Sequence, residues 1–270
     1  MELSRRAALS TFGVAGLGVL AGPEPVLALS PTIRFLNATR LKFSGRVPTY
    51  WSMRAPGVRY RFSTTTTLGT NAICLTFDAC GGSVMRYDST LIAVLRKYKV
   101  PATLFINRRW AMNNPTIFKQ LLADPLFEIQ NHGYTHQPLS VKGWSAYGIK
   151  GTTSLDAVWY EIASAHLYYA ANGWTQTKFM RPGTCYTDDV AAAAAVYMRQ
   201  PIVNFSINGD AGATYTVSHI YSAVLKARPG DIVLSHMNRP GSGTAVGYDR
   251  VIPALKARGL RFRKLSQVLW

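Results

Sequence analysis

A parallel α/β fold, either an open sheet or a closed barrel, is predicted by three features of this sequence. From about residue 70 onward short apolar runs alternate with longer amphipathic or alanine-rich stretches, no internal repeat or long linker breaks the alternation, and residues able to do chemistry fall at the ends of the apolar runs. Strands alternating with helices give parallel pairing, because each crossover helix returns the chain to the same end of the sheet. Chemistry in such folds gathers at the carboxyl ends of the strands.

The chain opens differently. Ser4-Arg5-Arg6 precedes an uncharged, mostly small or apolar run from Ala7 to Ala21, followed by Gly22-Pro23 and Val26-Leu27-Ala28. Paired arginines, an apolar stretch short for a membrane span and small residues before a cut mark residues 1–28 as a secretory signal of twin-arginine type, with an uncleaved anchor as the alternative. The working protein is then expected outside the cytoplasm, in the periplasm or cell envelope. Residues 29–70 show no helical spacing and end in Ser63-Thr64-Thr65-Thr66-Thr67, which predicts an irregular, β-leaning N-terminal extension.

Residues 71–270 form the remaining domain. Strands are expected at Ala72–Phe77, Ala102–Ile106, Phe127–Gln130, Phe179–Arg181, Ile202–Ile207, Ile232–Ser235 and Arg261–Arg263. Helices are expected near 89–98, 115–123, 154–172, 188–199, 217–227 and 248–258. Asp78 then follows the first strand, His132 the third, Arg181 the fourth, Asp210 the fifth and His236 the sixth, so one rim of the sheet collects them.

Composition bounds the partners. Hydrophobic residues at 48% and charged residues at 16% supply a sizeable core and exclude a disordered chain. The net charge of +17 invites a nucleic-acid reading. The basic residues are nevertheless dispersed, with no run longer than two and no base-reading module, so nucleic acid is not the expected partner. Residues 1–28 carry two arginines and two glutamates, so the field stays with the mature protein and suits an anionic cell envelope. Of three cysteines, Cys74 lies in an apolar run, which leaves Cys80 and Cys185 as the expected disulfide after export.

Two groups of residues carry the chemistry. Asn131-His132-Gly133-Tyr134-Thr135-His136 places two imidazoles four apart, a spacing that directs both toward one ion when the turn is helical. Alone the pair is weak evidence, since histidines also cap turns and fill cores. Leu75-Thr76-Phe77-Asp78 ends an apolar strand in an acid followed closely by Gly81-Gly82, where backbone can approach a ligand. A lone aspartate in a turn is usually structural; beside a histidine pair on the same rim it becomes a candidate base. Tyr134, Trp110, Trp144 and Tyr186 lie on or near these loops and would suit sugar stacking or simple packing equally.

Thr76-Phe77-Asp78, His132-Gly133-Tyr134-Thr135-His136, Arg181-Pro182-Gly183-Thr184 and Ile232-Val233-Leu234-Ser235-His236, in that order, resemble the successive motifs of the NodB-type polysaccharide deacetylase family, carbohydrate esterase family 4. The resemblance spans about residues 70–270. It implies a distorted (β/α) barrel that removes acetyl groups from N-acetylated polysaccharide or oligosaccharide with a divalent metal, zinc being the expected ion. It implies Asp78 as general base, His132 and His136 as metal ligands, and His236 as general acid. Arg181 would orient the base, and Asp210, the loosest match, would tune the catalytic histidine.

One position departs from the pattern. The family carries two consecutive aspartates, base then metal ligand, whereas here Asp78 is followed by Ala79 and Cys80. Three repairs are open: Asp78 serves as shared ligand and base, Cys80 offers a thiolate, or two histidines and waters hold the metal or it is lost. The first is preferred, and Cys80 ranks last because an exported thiolate competes with disulfide formation. The alternative to an enzyme is a carbohydrate-binding pseudoenzyme of the same fold, and a third reading is an envelope protein binding acidic polymers through its charge.

Overall fold

A computed structural model of the protein describes residues 31–269, so the expected signal at 1–28 lies outside the described residues. In chain order these residues form α1 (Pro31–Phe43), β1 (Trp51–Ser52), β2 (Ala72–Ala79), α2 (Ser89–Lys97), β3 (Ala102–Ile106), α3 (Arg108–Asn113), α4 (Pro115–Ala123), β4 (Phe127–Asn131), α5 (Leu155–Ala171), β5 (Thr187–Asp188), α6 (Asp189–Tyr197), β6 (Ile207–Asn208), α7 (Val217–Leu225), β7 (Ile232–His236), α8 (Thr244–Ala257) and β8 (Arg261–Phe262). The helices start where their side chains allow. Asp88, Asn107, Ser154, Asp188 and Thr216 each accept a hydrogen bond from a first-turn amide, satisfying a donor that has no partner inside the helix.

The sheet is parallel, in the order β4-β3-β2-β7-β6, with β8 paired to the start of β2. Isolated bridges carry it around. Asn131 at the end of β4 pairs with Met180, Met180 with Ile202, Val203 with Arg59, and Arg61 with Asp231 at the foot of β7. Two of the segments expected as full strands, 179–181 and 202–207, are thus reduced to bridges plus the two-residue β6. The N-terminal extension supplies the piece that joins them to β7, and the result is a distorted barrel.

Alternation along the strands sorts side chains into two layers. Ile73, Leu75, Phe77 and Ala79 of β2 pack outward with Leu104, Ile106, Ile129 and Val233 against the helices. Cys74, Phe105, Phe179, Val203, Ile232 and Leu265 fill the interior at its lower end. Above them the interior turns polar, and its inward positions are Thr76, Asp78 and Arg181, all buried.

The β-leaning extension is corrected over 31–43, which is helical. Leu36, Thr39 and Phe43 fall at helical spacing on one face, and α1 rests on α5 and α6. The buried threonine in the middle of that stripe, whose Oγ1 donates to Phe35 O at 2.8 Å, hid the period from a reading of apolar residues alone. The expected Cys80–Cys185 disulfide is also corrected: Cys74, Cys80 and Cys185 are all free, because the Cys80 sulfur is turned toward the histidines. No helix among the described residues is long and apolar enough to cross a membrane.

Candidate active site

The upper rim of the barrel opens into a cleft of about 530 Å³ whose walls include Asp78, Cys80, His132, His136, His236 and Arg239. Strand register explains the convergence: Asp78 at the end of β2 is level with His236 at the end of β7 and with Phe105 of β3.

On one side stands a sealed ion pair. Arg181, with no solvent exposure, donates from Nη1 to Asp78 Oδ1 at 2.8 Å and to Thr76 Oγ1 at 2.8 Å. Its Nε and Nη2 are taken by Val203 O and Asn204 O, and its guanidinium lies 4.0 Å from the centre of the Phe105 ring. A guanidinium tied on all sides cannot swing, so Oδ1 is fixed and Oδ2 points toward His132, whose Nε2 is 3.7 Å away.

On the other side stands the reverse arrangement. Asp210, fully buried, accepts from His236 Nδ1 at 2.8 Å, from the His236 amide at 2.7 Å and from Thr244 Oγ1 at 3.1 Å. The carboxylate can only accept, so Nδ1 carries the proton and Nε2 faces the cleft. Burial by itself would lower the His236 pKa, but the Asp210 charge and hydrogen bond, with help from Cys80, raise it well above the usual histidine value.

The histidine pair is brought together by a loop rather than a helical turn. Gly133 and His136 both adopt positive φ, 73° and 65°, and the two imidazoles meet edge to face at 4.8 Å. The loop is wrapped around Glu161, a buried carboxylate on α5 that accepts from the amides of Thr135, His136 and Gln137 and from Thr135 Oγ1. Gly133 is required twice over, since a Cβ there would stand 2.5 Å from Glu161 Oε1 as well as being strained. Asn107 closes the other side by donating to His132 O and Gly133 O. His132 Nδ1 donates to Arg181 O at 2.8 Å, which leaves the Nε2 lone pair for the cleft.

Of the four residues predicted from sequence for the base, the acid and their partners, Asp78 and His236 line one cleft together with His132 and His136, and Arg181 and Asp210 stand buried behind them. Cys80 joins them, and its Sγ is 3.7 Å from His132 Nε2. Burial would raise its thiol pKa, but the His136 charge and hydrogen bonds from His132, His136 and His236 hold it well below the ordinary thiol value. Two contributors escaped the sequence reading. Glu161 was legible in principle as an acid on the apolar face of α5, between Val158 and Ile162. Tyr147, 73% exposed on the cleft wall and edge to face with Tyr186, carried no signal. Trp144 and Tyr186 meet Trp51 on the same rim, whereas Trp110 is core.

A barrel with its polar side chains at the carboxyl rim has solved counterparts. The structure of Bacillus subtilis PdaA, a family 4 carbohydrate esterase, matches with a TM-score of 0.63 over 87% of this chain and 88% of that one at 22% identity. A carbohydrate esterase family 4 pseudoenzyme from Bacillus anthracis matches at 0.64 over 80% and 70% of the two chains at 23% identity. At these identities the likeness establishes the fold. The polysaccharide deacetylase family model matches residues 65–200, just over half of the sequence, and the chain belongs to that family. It is 28% identical over 214 residues to a chitooligosaccharide deacetylase of Bradyrhizobium, covering 74% of this chain and 91% of that protein. It is 25% identical over 205 residues to the peptidoglycan-N-acetylmuramic acid deacetylase PdaA of Bacillus subtilis, covering 73% and 71%.

Proposed function

We propose that the protein is an exported deacetylase that hydrolyses acetamide groups on an N-acetylated glycan, with domain boundaries at residues 28 and 70. The observation that carries this reading is the pair of oppositely charged couples facing one cleft, Asp78 with Arg181 and His236 with Asp210. Relatives that deacetylate chitooligosaccharide and peptidoglycan support the substrate class.

The roles follow from the atoms left free. Asp78 Oδ2 accepts the proton of the attacking water while Arg181 holds Oδ1 still. His236 Nε2 donates a proton to the departing sugar amine, and the Asp210 carboxylate keeps the imidazolium charged and oriented. The donor chemistry at His132 and His136 fits a divalent cation: Nδ1 of His132 is occupied by a carbonyl, so Nε2 is presented as a ligand atom. A cation held there supplies Lewis acidity, which eases deprotonation of water and polarises a carbonyl. Tyr147, Tyr186 and Trp144 offer faces on which sugar rings stack.

Acetate release from N-acetylglucosamine oligomers and from peptidoglycan fragments tests the reading. We expect release that EDTA abolishes and zinc or cobalt restores. Failure of the folded, metal-replete protein on every acetylated glycan tried would sink it. One observation favours a second reading: Ala79, where the family carries an aspartate, packs into the outer core. A carbohydrate-binding pseudoenzyme would bind the glycan without turnover, and measured turnover excludes it. Export is tested by fractionating cells that express the full chain and by asking whether Arg5→Lys with Arg6→Lys retains it in the cytoplasm.

A further inference from the structure

The metal-dependent reading leaves a third protein ligand unassigned, and the geometry around Cys80 supplies one. We propose that the Cys80 thiolate coordinates the divalent cation together with His132 and His136, taking the role that the family gives to a second aspartate. This rests on the deacetylase reading for the cation's purpose but not for its binding.

Four observations on the structure carry it. First, strand alternation places side chains two apart on the same face, so Cys80 emerges beside Asp78 into the cleft while Ala79 is buried against the helices. Ala79 is buried and offers no donor atom, and the next residue whose side chain lines the cleft is Cys80. Second, one donor atom each from Cys80, His132 and His136 all lie within 4.8 Å of one another. A tetrahedral zinc with bonds of about 2.3 Å to sulfur and about 2.0–2.1 Å to nitrogen sets these donors roughly 3.3–3.6 Å apart. The Cys80 Sγ to His132 Nε2 separation of 3.7 Å is already close to that edge. Third, Asp78 has one carboxylate oxygen fixed by Arg181, and although its Oδ2 lies 3.7 Å from His132 Nε2, it stands outside the set of donors that are all mutually close. Fourth, the competing fate of the sulfur is not taken, since Cys80 and Cys185 are both free.

The chemistry has definite consequences. On binding, the thiol proton leaves to solvent as the sulfur–metal bond forms, so uptake of the ion releases a proton. A thiolate with two imidazoles is a soft to borderline donor set, suited to zinc or cobalt and poorly suited to magnesium or calcium. Three protein ligands leave a fourth position open toward the cleft, as a catalytic site requires. Asp78 is then free to act as base without sharing its oxygens with the ion.

Cobalt titration of the metal-stripped full chain tests the proposal independently of turnover. We expect one equivalent of Co²⁺ with a thiolate-to-cobalt charge-transfer band in the near ultraviolet. C80S is expected to lose the band and to bind on the order of 100-fold more weakly, and C80D to recover stoichiometric binding without the band. C185S, which alters the other cysteine of the cleft, is expected to keep the band; circular dichroism melts confirm that each variant is folded. A wild-type cobalt complex without the band, or C80S with wild-type affinity, overturns the ligand assignment, and acetate release then continues to support the deacetylase reading. A banded, stoichiometric complex that releases no acetate from any glycan keeps the ligand and overturns the reading of function.

Discussion

The two flanks of the cleft are made from the same kinds of part in opposite order. On the β2 side a carboxylate faces the cleft and a cation is buried behind it; on the β7 side an imidazole faces the cleft and a carboxylate is buried behind it. The buried member is in each case fully enclosed, whereas the facing members differ, Asp78 being almost sealed and the His236 side chain 15% exposed. Each visible group is thereby backed by a hidden group of opposite charge. Arg181 gives Asp78 a permanent counter-charge, and Asp210 stabilises the protonated imidazole. In the proposed mechanism a base and an acid face one cleft, each held by a residue buried behind it.

Substitutions that remove a facing group are expected to have the largest effect. D78N should lower the rate of acetate release by roughly 100- to 10,000-fold and also lower the melting temperature, because it leaves the buried Arg181 charge without its counter-ion; H236Q should lower the rate in the same direction. A variant that keeps near-normal turnover in either case breaks the assignment of that flank.

Removing the hidden cation is expected to act on stability as well as on rate. R181M strands a buried carboxylate, a change that costs about 3–5 kcal/mol, to be read from urea unfolding. The double variant D78N/R181M should recover part of that loss, since the stranded charge is gone; the absence of recovery would show that Arg181 acts through its packing on Phe105 and its carbonyl contacts instead.

D210N sharpens the other flank through pH. As the proposed acid, His236 must be protonated to work, and Asp210 is the main influence raising its pKa. Removing that charge should move the alkaline limb of the kcat profile to lower pH and leave the acidic limb in place. An unshifted alkaline limb would mean that a different group donates the proton. E161Q tests the loop below: weaker hydrogen bonds to the amides of 135–137 should lower stability by about 1–3 kcal/mol and loosen metal retention measured by chelator competition. The smallest effect is expected from Y147A, which should raise KM for glycan oligomers by roughly 2- to 10-fold through lost stacking while kcat holds.

Much of this was legible along the chain. The run Ala72–Phe77 with an acid after it, the pair of histidines and the apolar run ending in His236 place three chemical groups at strand ends, because parallel α/β folds put them there whatever the details. The inward direction of Cys80 was legible too, since alternation from Asp78 fixes it, although the expectation of a disulfide concealed it.

Other features depended on contacts between distant residues. Whether 31–43 is helix was decided by α5 and α6, which give a stripe containing a threonine something to pack on. Closure of the barrel was decided by single bridges at Met180, Ile202 and Arg59, too short to leave a pattern. The histidine loop owes its shape to Glu161, about 25 residues further on, and to Asn107 before it. Local sequence specifies which face of a strand a side chain occupies, since that period is a property of the backbone. It does not specify which distant partner a buried charge will meet, and at this cleft those partners, Arg181 for Asp78 and Asp210 for His236, were set by the tertiary structure.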